Sequence, residues 1–502
     1  MFCKLIRAAA PLLLLSASAA LAQTDPPVTP ADLRRHIEML ASDAFQGRAP
    51  ATEGETRTTN YIIEQFRARG LEPAGTGGSW FQPVALVERT TRAHQVSWTA
   101  NGRAVAFDQA DIALQGREAE FHVADAPVIF AGHGVRMPER GVDQLAGADV
   151  RGAVVLILFD APPVSGFPSF AERIRAVTEA GASAVIAITG ADLQWNFVTR
   201  NYHRPATKLA SQAVAPVVGA MPQQAAQRLV EAAGGNFERL LNEQPGSSFR
   251  AVTLPLRATL DVDTDVRAYT TNNVIGRIRG NGTSGQTVMF LAHWDHFGLC
   301  RPEGEADRIC NGAVDNASGV ATLIEIAGRL ARQPHPPRDI LFMATTAEEL
   351  GLLGAETFAR SPTVPLPSIV AALNLDTVAI HPAGEPVAVL GRGHAPLDSV
   401  IDETAAAMGR QLDTDHEADS FNERQDSWAL ARVGVPAVMV GGSFSDLETL
   451  GAFLSGPYHS PEDEVGPNLM LDGAAEDANL LVALGRRLAD PAVYQPARAA
   501  DQ

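Results

Sequence analysis

The chain has few cysteines, few basic residues and, after its first two dozen residues, no long apolar run. Three cysteines among 502 residues allow one intramolecular disulfide at most. A bilayer-spanning helix needs about 20 consecutive apolar residues, so we expect no membrane span in the mature chain. The 40 Lys and Arg residues are outnumbered by 58 Asp and Glu, which gives a formal charge of -18. Because nucleic acid and anionic membranes require clustered Lys and Arg, neither is an expected partner.

The overall composition is that of an ordinary globular protein. Apolar residues make up 46% of the chain and charged residues 20%. These proportions lack the depletion of apolar residues that marks disordered chains. The length is several times that of a minimal domain, so the sequence predicts more than one domain.

The first 22 residues have the layout of a cleavable secretory signal. Lys4 and Arg7 precede a short apolar run, which ends in the small-residue triplet at positions 20–22 ahead of Gln23. The alternative is an N-terminal membrane anchor, but the apolar run is short and interrupted by proline and serine. The sequence therefore predicts an exported mature chain, either periplasmic or extracellular.

Cys300 and Cys310 are the cysteines that remain once Cys3 is removed with the predicted signal. An even pair in a chain bound for an oxidising compartment predicts a disulfide. The alternative is a pair of free thiols or metal ligands. It is weaker because no other thiol is available to complete such a site.

Two patterns of apolar residues divide the rest of the chain. Residues 104–260 contain apolar runs typical of buried strands, and we interpret them as an inserted β-rich domain. The alternative is that these strands extend one large sheet. Residues 23–103 and 261–502 form the other predicted domain, whose later part alternates strands with amphipathic helices. That alternation predicts an α/β fold in which helices flank a mixed, mostly parallel sheet.

Histidines and acidic residues follow the strands of this α/β domain at the points where the strands end. His293 and Asp295 follow the run TVMFLA, Glu348 and Glu349 follow DILFMATTA, and Asp376 follows SIVAALNL. In an open α/β sheet the ligand site lies beyond the carboxyl ends of the strands. We therefore expect these side chains to lie close together.

Asp315 and His459 complete the set. Asp315 lies at the start of a predicted helix, and His459 lies in a loop rich in turn-forming residues. Each signal alone is weak, but ionised side chains gathered on several strand ends need a partner or a metal. Imidazole and carboxylate without thiolate suit zinc, with manganese or cobalt as substitutes. The number of candidate ligands exceeds what one catalytic zinc needs, so two ions that share a carboxylate are predicted.

Five segments resemble the signature segments of the di-zinc aminopeptidases of metallopeptidase family twenty-eight, in the order of that family. They are LAHWDHFG, NGAVDNASGV, TTAEELGLLGA, NLDTV and PYHSPEDE. Upstream, LASDAFQGRAPATEGETRTTNYIIEQFRARGLEP is similar to the usual N-terminal stretch of the family. VIFAGHGV and ADVRGAVVLILF, within residues 104–260, resemble a protease-associated domain. The resemblance implies an aminopeptidase that releases N-terminal residues from peptide substrates and binds two Zn²⁺ per chain.

The resemblance also implies metal ligands. His293 and Asp376 would hold one zinc. Glu349 and His459 would hold the other. Asp315 would bridge both ions.

Three more residues would support the reaction. Asp295 would accept a hydrogen bond from His293 and fix its tautomer. Glu348 would be the general base. The phenol of Tyr458 would help the metals to stabilise the oxyanion. Thr377 stands where the family often has methionine, which leaves the substrate specificity open.

Three other functions stay open at this point. A glutaminyl cyclase of the same superfamily would bind a single zinc. A carboxypeptidase or dipeptidase with a dimerisation lid would have an insertion between Asp376 and His459, and none is present. A non-catalytic binding protein on a peptidase fold would lack ligands or the base, and all are present. The spacing of His296 fits an orienting, substrate-side or plain hydrogen-bonded role better than that of a ligand. The predicted site does not include these four histidines: His296, His381, His394 and His416.

Overall fold

A computed structural model describes residues 26–162, 166–212, 215–243, 249–332, 335–467 and 469–496. The predicted signal, residues 1–22, lies outside the described residues. Among the helices in these ranges, none combines the length and the apolar character that crossing a bilayer requires.

The α-helices of the described residues include two long ones, α2 and α12, and several of about three turns. They are α1 (Pro30–Leu40), α2 (Glu53–Ala68), α3 (Phe170–Glu179), α4 (Trp195–His203), α5 (Gln223–Ala232), α6 (Phe237–Glu243), α7 (Gly319–Ala331), α8 (Leu353–Arg360), α9 (Ala395–Ala407), α10 (Asp426–Ala431), α11 (Leu447–Ser455) and α12 (Leu471–Leu488).

The strands differ widely in length, and two of them, β2 and β12, are unusually long. They are β1 (Glu72–Pro73), β2 (Phe81–Ala100), β3 (Arg103–Val105), β4 (Ala113–Gly116), β5 (Glu120–Phe130), β6 (Arg136–Met137), β7 (Val142–Asp143), β8 (Val154–Leu158), β9 (Ala184–Thr189), β10 (Ala206–Leu209), β11 (Val217–Pro222), β12 (Val252–Ile278), β13 (Thr287–His293), β14 (Gly298–Leu299), β15 (Ile309–Cys310), β16 (Asp339–Thr345), β17 (Ile369–Asn374), β18 (Ala388–Leu390) and β19 (Ala437–Gly441).

The part of the sheet formed by residues after 251 has the order β18-β19-β17-β13-β16-β12. β19, β17, β13 and β16 are parallel, whereas β18 and β12 pair with them in the antiparallel direction. Neighbouring residues of β13 illustrate why these strands are apolar throughout. Met289 lies in the hydrophobic cluster that contains Phe358 of α8 on one face, and Phe290 lies in the cluster that contains Leu481 of α12 on the other. The mixed, mostly parallel sheet with helices on both faces confirms the predicted α/β fold.

The strands of residues 104–260 continue the same hydrogen-bonded sheet in the order β12-β5-β8-β9-β11-β4. β12 makes the connection, because its first half pairs with β5 and its last residues pair with β16. β2 runs antiparallel to β12 along most of its length. Five of these strands nevertheless bury their side chains in hydrophobic clusters that are separate from the cluster of β13 and β16. They are β4, β5, β8, β9 and β11. The division of the chain at residues 104 and 260 stays a prediction.

The predicted disulfide between Cys300 and Cys310 is present, with the two Cα atoms 5.8 Å apart. It closes the short hairpin of β14 and β15, which lies in the segment that joins His293 to Asp315. Gly47 (φ +64°) packs against this hairpin, since a Cβ atom there would lie 2.4 Å from the carbonyl oxygen of Cys310. The disulfide thus fixes a loop against the N-terminal part of the chain.

Replacing both cysteines, Cys300→Ser with Cys310→Ser, is expected to lower the free energy of unfolding by about 2 to 3 kcal/mol. The physical reason is that the open loop gains conformational entropy in the unfolded chain. Urea unfolding of both proteins, with and without a reductant, measures the difference. The reductant should weaken the natural protein by a similar amount and leave the double variant unchanged. Equal stability of the two oxidised proteins would contradict the prediction.

Candidate metal centre

Three neighbouring strands bring most of the predicted residues to one edge of the sheet. β17, β13 and β16 are adjacent and parallel. β13 ends at His293, the turn after β16 carries Glu348 and Glu349, and Asp376 lies two residues after β17. The carboxyl ends of the strands therefore place four predicted side chains together, as expected for the ligand site of an open α/β sheet.

Asp315 lies between two histidines that come from distant parts of the chain. Its Oδ1 is 3.3 Å from Nε2 of His293, and its Oδ2 is 3.2 Å from Nε2 of His459. Asp315 belongs to the irregular turn Ala313–Ser318 ahead of α7, where its own backbone is not helical (φ -107°, ψ 93°). Each carboxylate oxygen thus faces a different imidazole, which is the arrangement that a ligand shared by two cations requires.

Each of these histidines faces a further carboxylate. Nε2 of His459 is 2.9 Å from Oε2 of Glu349. Nε2 of His293 is 3.4 Å from Oδ1 of Asp376 and 4.0 Å from Oε2 of Glu348. A ring nitrogen carries one proton at most, so it cannot donate to several carboxylate oxygens at once. A cation among these atoms accounts for the convergence better than hydrogen bonds do.

The donor atoms form two groups in which all atoms lie within 4.8 Å of one another. One group contains His293, Asp315 and Glu349, and the other contains His293, Glu348 and Asp376. Nitrogen and carboxylate oxygen are donors that suit zinc. The residues present therefore fit divalent metal ions, and the two groups are adjacent because they share one histidine.

Burial and mutual repulsion change the acid-base properties of the site. Burial, together with the charges of Glu349 and Asp376, raises the pKa of Glu348 well above its ordinary value. Burial alone would lower the pKa of His293, but the charges of Glu348 and Asp376 outweigh it and raise this pKa. The buried carboxylates outnumber the positive charges near them. The site therefore strongly favours an added cation.

Asp295 is buried beneath the site, and its backbone carbonyl, rather than its carboxylate, is the group nearest to the ring of His293. Nδ1 of His293 lies 3.2 Å from the backbone carbonyl oxygen of Asp295 and 4.0 Å from the carboxylate oxygen Oδ1. The carboxylate instead accepts a hydrogen bond from the backbone N–H of Glu348 at 3.1 Å. Asp295 thus lies within hydrogen-bond distance of His293, as the resemblance implies, with its main-chain carbonyl as the acceptor. The side chain turns toward the Glu348 backbone, which leaves the main-chain carbonyl as the group that orients the imidazole.

Tyr458 lies beside the site. Its ring stacks on that of His459 with the centroids 3.5 Å apart. Burial, together with the charges of Asp315 and Glu349, raises the pKa of the phenol. The phenol therefore keeps its proton at neutral pH and is able to donate a hydrogen bond.

His296 contacts the site, although the sequence analysis left it out. Its Nδ1 is 2.6 Å from Oε1 of Glu349, and the side chain is fully buried. Because the other oxygen of Glu349 faces His459, the two imidazoles hold this carboxylate from both sides. His381, also left out, lies elsewhere and pairs with Asp477 at 2.9 Å.

Asp463 supports the turn that carries Asp315, and the sequence analysis missed it. Its two carboxylate oxygens accept hydrogen bonds from the backbone N–H groups of Val314 and Asp315, at 2.9 and 3.0 Å. Burial raises the pKa of Asp463 to about 6, which these hydrogen bonds oppose. The segment PYHSPEDE contained this residue, but no pattern in the sequence distinguished it from the other acids.

Arg48 is the second supporting residue that the sequence analysis missed. It is fully buried and donates hydrogen bonds to the backbone carbonyls of Trp294, Asn311 and Gly312, at 2.9, 2.5 and 2.9 Å. A fourth hydrogen bond of 2.9 Å goes to the carbonyl of Leu40. One guanidinium thus ties the segment after His293 to the segment before Asp315. The Gly-Arg pair in FQGR was the available signal, and nothing in the sequence linked it to the metal ligands.

Replacing Arg48 by methionine is expected to destabilise the protein by about 3 to 5 kcal/mol, because it leaves several buried carbonyls without a donor. Urea unfolding measures this loss, and zinc titration should show weaker metal binding as well. Arg57→Met is the matched control, since Arg57 also donates to a backbone carbonyl, that of Ala44, but at the surface. We expect this control to change stability by less than about 1 kcal/mol. Similar losses in both variants would contradict the assigned role of Arg48.

Comparison with known proteins agrees with the site. Residues 273–482 match the family model described as Peptidase family M28. All the metal-ligand candidates, from His293 to His459, lie within the matched residues. Residues 273–482 are thus similar to the M28 peptidases, and the chain is a hydrolase.

Curated relatives of this chain include one that matches most of its length. This chain is 25% identical over 417 residues to the probable lipoprotein aminopeptidase LpqL of Mycobacterium tuberculosis. The match covers 80% of this chain and 70% of the relative. This chain is also 43% identical over 105 residues to a probable zinc metalloprotease of Pyrenophora teres f. teres. That match covers 21% of this chain and 22% of the relative. The local match is thus stronger than the match over the whole chain.

A solved structure shares the fold of this chain over nearly its full length. The aminopeptidase from Aneurinibacillus sp. strain AM-1 superposes with a TM-score of 0.53 at 16% identity. The superposition covers 94% of this chain and 95% of that one. At this identity the likeness shows the fold alone. The match to Peptidase family M28 does not extend to residues 104–260, and their resemblance to a protease-associated domain stays a prediction.

Proposed function

We propose that this chain is an M28 aminopeptidase that removes N-terminal residues from peptides with the help of two zinc ions. The observation that carries the proposal is the position of Asp315, each of whose carboxylate oxygens faces a different histidine. His293 and Asp376 would hold one ion, with Asp315 as the shared ligand. His459 and Glu349 would hold the second.

Several features of the donor set favour zinc. The donors are imidazole nitrogens and carboxylate oxygens, which zinc binds readily, and both Cys300 and Cys310 are in a disulfide. When bound, a pair of such ions lowers the pKa of a shared water and polarises the carbonyl of the scissile bond. The chain holds its ligands in place through groups outside the ligand set. His296 holds Glu349, and Asp463 holds the backbone of Asp315.

Glu348 is proposed as the proton carrier. It neighbours the ligand Glu349 in sequence, and its Oε2 lies 4.0 Å from Nε2 of His293. The hydrogen bond from its backbone N–H to Asp295 fixes the turn. Glu348 would take a proton from the attacking water and deliver it to the leaving amine.

Tyr458 is proposed to donate a hydrogen bond to the carbonyl oxygen of the scissile bond. The raised pKa of its phenol keeps the proton available for this purpose. A hydrogen bond that strengthens as charge develops on the oxygen stabilises the tetrahedral intermediate more than the substrate.

Action at the N-terminus is supported by the charge of the site and by the relatives. The excess of buried carboxylates provides an environment for the ammonium group of an unblocked peptide. The relative LpqL and the structural neighbour are both named as aminopeptidases.

The location and the accessory region belong to the same proposal. The basic and apolar start of the chain supports cleavage after residue 22 and export to the periplasm or the extracellular medium. Residues 104–260 are proposed to be a protease-associated domain, on the strength of VIFAGHGV and ADVRGAVVLILF.

Metal analysis combined with a reporter panel tests the proposed function. We expect about two zinc ions per purified chain, in line with two adjacent ligand groups. An aminoacyl reporter with a free amino group should be hydrolysed, and its N-acetylated form should not. A chelator should abolish hydrolysis, and added zinc should restore it.

The same panel separates the alternatives. One zinc per chain with cyclisation of N-terminal glutamine would indicate a glutaminyl cyclase. Release from the carboxyl end of an N-blocked peptide would indicate a carboxypeptidase. Binding of peptides without hydrolysis of any member would indicate a non-catalytic relative. Any of these results would overturn the proposal.

A further inference from the structure

A cavity of about 260 Å³ lies outside the metal centre, within the predicted insertion and the long strand β2. Its walls come from three groups of elements. They are the paired strands β2 and β10, the strand β4 with its neighbour β11, and the first turns of α3. Four cationic side chains line it: Arg89, Arg117, Arg175 and Lys208.

The sign of the charge in this cavity is opposite to that of the chain. The chain carries a formal charge of -18 and only two lysines, of which Lys208 is one. Arg117 also pairs with Glu118 at 2.7 Å, but none of the described residues that line the cavity is acidic. Cationic side chains gathered around one concave space, in an acidic protein, attract an anionic ligand.

The cationic groups are held near one another by the fold. Nε of Arg89 donates a hydrogen bond of 2.8 Å to the backbone carbonyl of Arg117. Ala206 lies directly opposite Arg89 in the antiparallel pair of β10 and β2. Because side chains two residues apart share a face of a strand, Lys208 lies on the same face as Ala206 and Arg89. The pairing of β10 with β2 therefore places the positive charges of Arg89 and Lys208 on one face of these strands.

The rest of the lining is mostly apolar, with two polar residues, Gln115 and Gln212. Phe170 and Ile174 of α3 and Val218 of β11 contribute to the walls. The volume is smaller than that of cavities for drug-sized ligands, which are about 300 to 1,000 Å³. The cavity therefore fits a small ligand that combines a carboxylate with an apolar side chain.

We propose that this cavity binds the C-terminal residue of a peptide. The free carboxylate would pair with Arg89 and Lys208, and an apolar side chain would pack on Phe170 and Ile174. Capture of a terminal carboxylate together with an adjacent side-chain pocket is a recurring mode of peptide recognition. The ligand class follows from the chemistry of the cavity and does not depend on the proposed aminopeptidase activity.

The cavity and the metal centre lie on opposite faces of the β2 and β10 pair. Leu209 and Leu86, which are directly opposite each other, pack against Ala347 and Leu353, the residues on either side of the Glu348 turn. Lys208 belongs to the other face. A peptide end in the cavity therefore leaves the metal centre free, and its binding should survive loss of metal or of hydrolysis.

Isothermal titration of the full chain with N-acetyl-alanyl-leucine tests the proposal, in a buffer of low ionic strength without phosphate. The N-acetyl group removes the free amine that the metal centre is proposed to need. We expect the peptide acid to bind at least about tenfold more tightly than its C-terminal amide. The double variant Arg89→Gln with Lys208→Gln should weaken binding of the acid at least about tenfold, since charged hydrogen bonds are lost.

Arg92→Gln with Arg103→Gln is the matched control, because both are exposed cations of the same β2 and β3 region outside the cavity. This control should bind N-acetyl-alanyl-leucine as tightly as the natural chain does. Glu348→Gln should also bind the peptide with the affinity of the natural chain. Thermal unfolding of each variant shows whether the fold is intact. Equal affinity for acid and amide, undiminished binding by the cavity variant, or no binding at all would overturn the proposal. Inorganic phosphate that binds as tightly as the peptide would also overturn it, in favour of a general anion site.

Discussion

Glu348→Gln is expected to reduce kcat for peptide hydrolysis by about two to four orders of magnitude, with two zinc ions still bound. A positioned general base contributes that much to proton transfer, and glutamine cannot accept the proton. Glutamine keeps the size of the side chain and leaves the backbone hydrogen bond to Asp295 in place. The turn that carries Glu349 should therefore keep its geometry.

The same substitution has a second expected effect that does not involve activity. Burial and the neighbouring carboxylates raise the pKa of Glu348 well above its ordinary value. A carboxylate with a raised folded pKa is disfavoured in its ionised form, so stability is lost as the pH rises above the unfolded pKa near 4.3. The neutral glutamine removes this repulsion. We therefore expect metal-free Glu348→Gln to be at least as heat-stable as the metal-free natural chain at neutral pH.

Steady-state kinetics, metal analysis and thermal unfolding of the metal-free proteins measure these effects. Glu356→Gln is the matched control, because Glu356 follows in α8 and pairs with Arg360 at the surface. It should retain full activity. Full activity of Glu348→Gln with both ions bound would refute the role of Glu348, and loss of an ion would make it a ligand instead.

The strands that position the site could be predicted from the sequence for a simple reason. Buried parallel strands are apolar throughout, so a polar residue after such a run marks the sheet edge, as at His293 and Asp376. The spacing of Asp315 and His459 carried no such signal. They were predicted from weaker signals, a helix start and a turn-rich loop, together with the resemblance of whole segments to a family, and the contacts of Asp315 agree with that assignment.

The supporting groups could not be predicted because they act on backbone atoms. Arg48 binds carbonyls of residues near positions 40, 294 and 311, and backbone carbonyls leave no pattern of residue types. Asp463 likewise binds backbone N–H groups. The acceptor that Asp295 offers to His293 is also a backbone atom, its main-chain carbonyl oxygen. Sequence patterns identify the side chains that face a site better than the hydrogen bonds that hold them.

The pairing of β2 with β12 shows why the boundaries of the predicted insertion were hard to place. β12 runs through residue 260 without a break and pairs with strands of both regions. Each half of β12 has an ordinary strand pattern, so periodicity does not reveal that one strand serves both regions. The separate hydrophobic clusters were visible only once the strands were assembled.

Asp315→Asn is expected to abolish hydrolysis and to reduce the zinc content below two ions per chain. Asparagine matches aspartate in size but offers one carbonyl oxygen and no charge. It therefore cannot supply an anionic oxygen to each of two ions, one beside His293 and one beside His459. Loss of the shared ligand should weaken both ion positions. The expected loss at both positions distinguishes Asp315 from Asp376. Asp376 contacts His293 but not His459.

Zinc-dependent stabilisation measures the loss without reference to activity. Free zinc at about 100 times its dissociation constant should stabilise the natural chain by about 2.7 kcal/mol per site, and the rise in Tm should be largely absent in Asp315→Asn. Asp307→Asn is the matched control, because Asp307 is an exposed acid in the same connecting segment. It should show the full rise. If Asp315→Asn bound two ions with unchanged affinity, no carboxylate would be shared between the sites, and the proposed two-zinc peptidase would lose its main support.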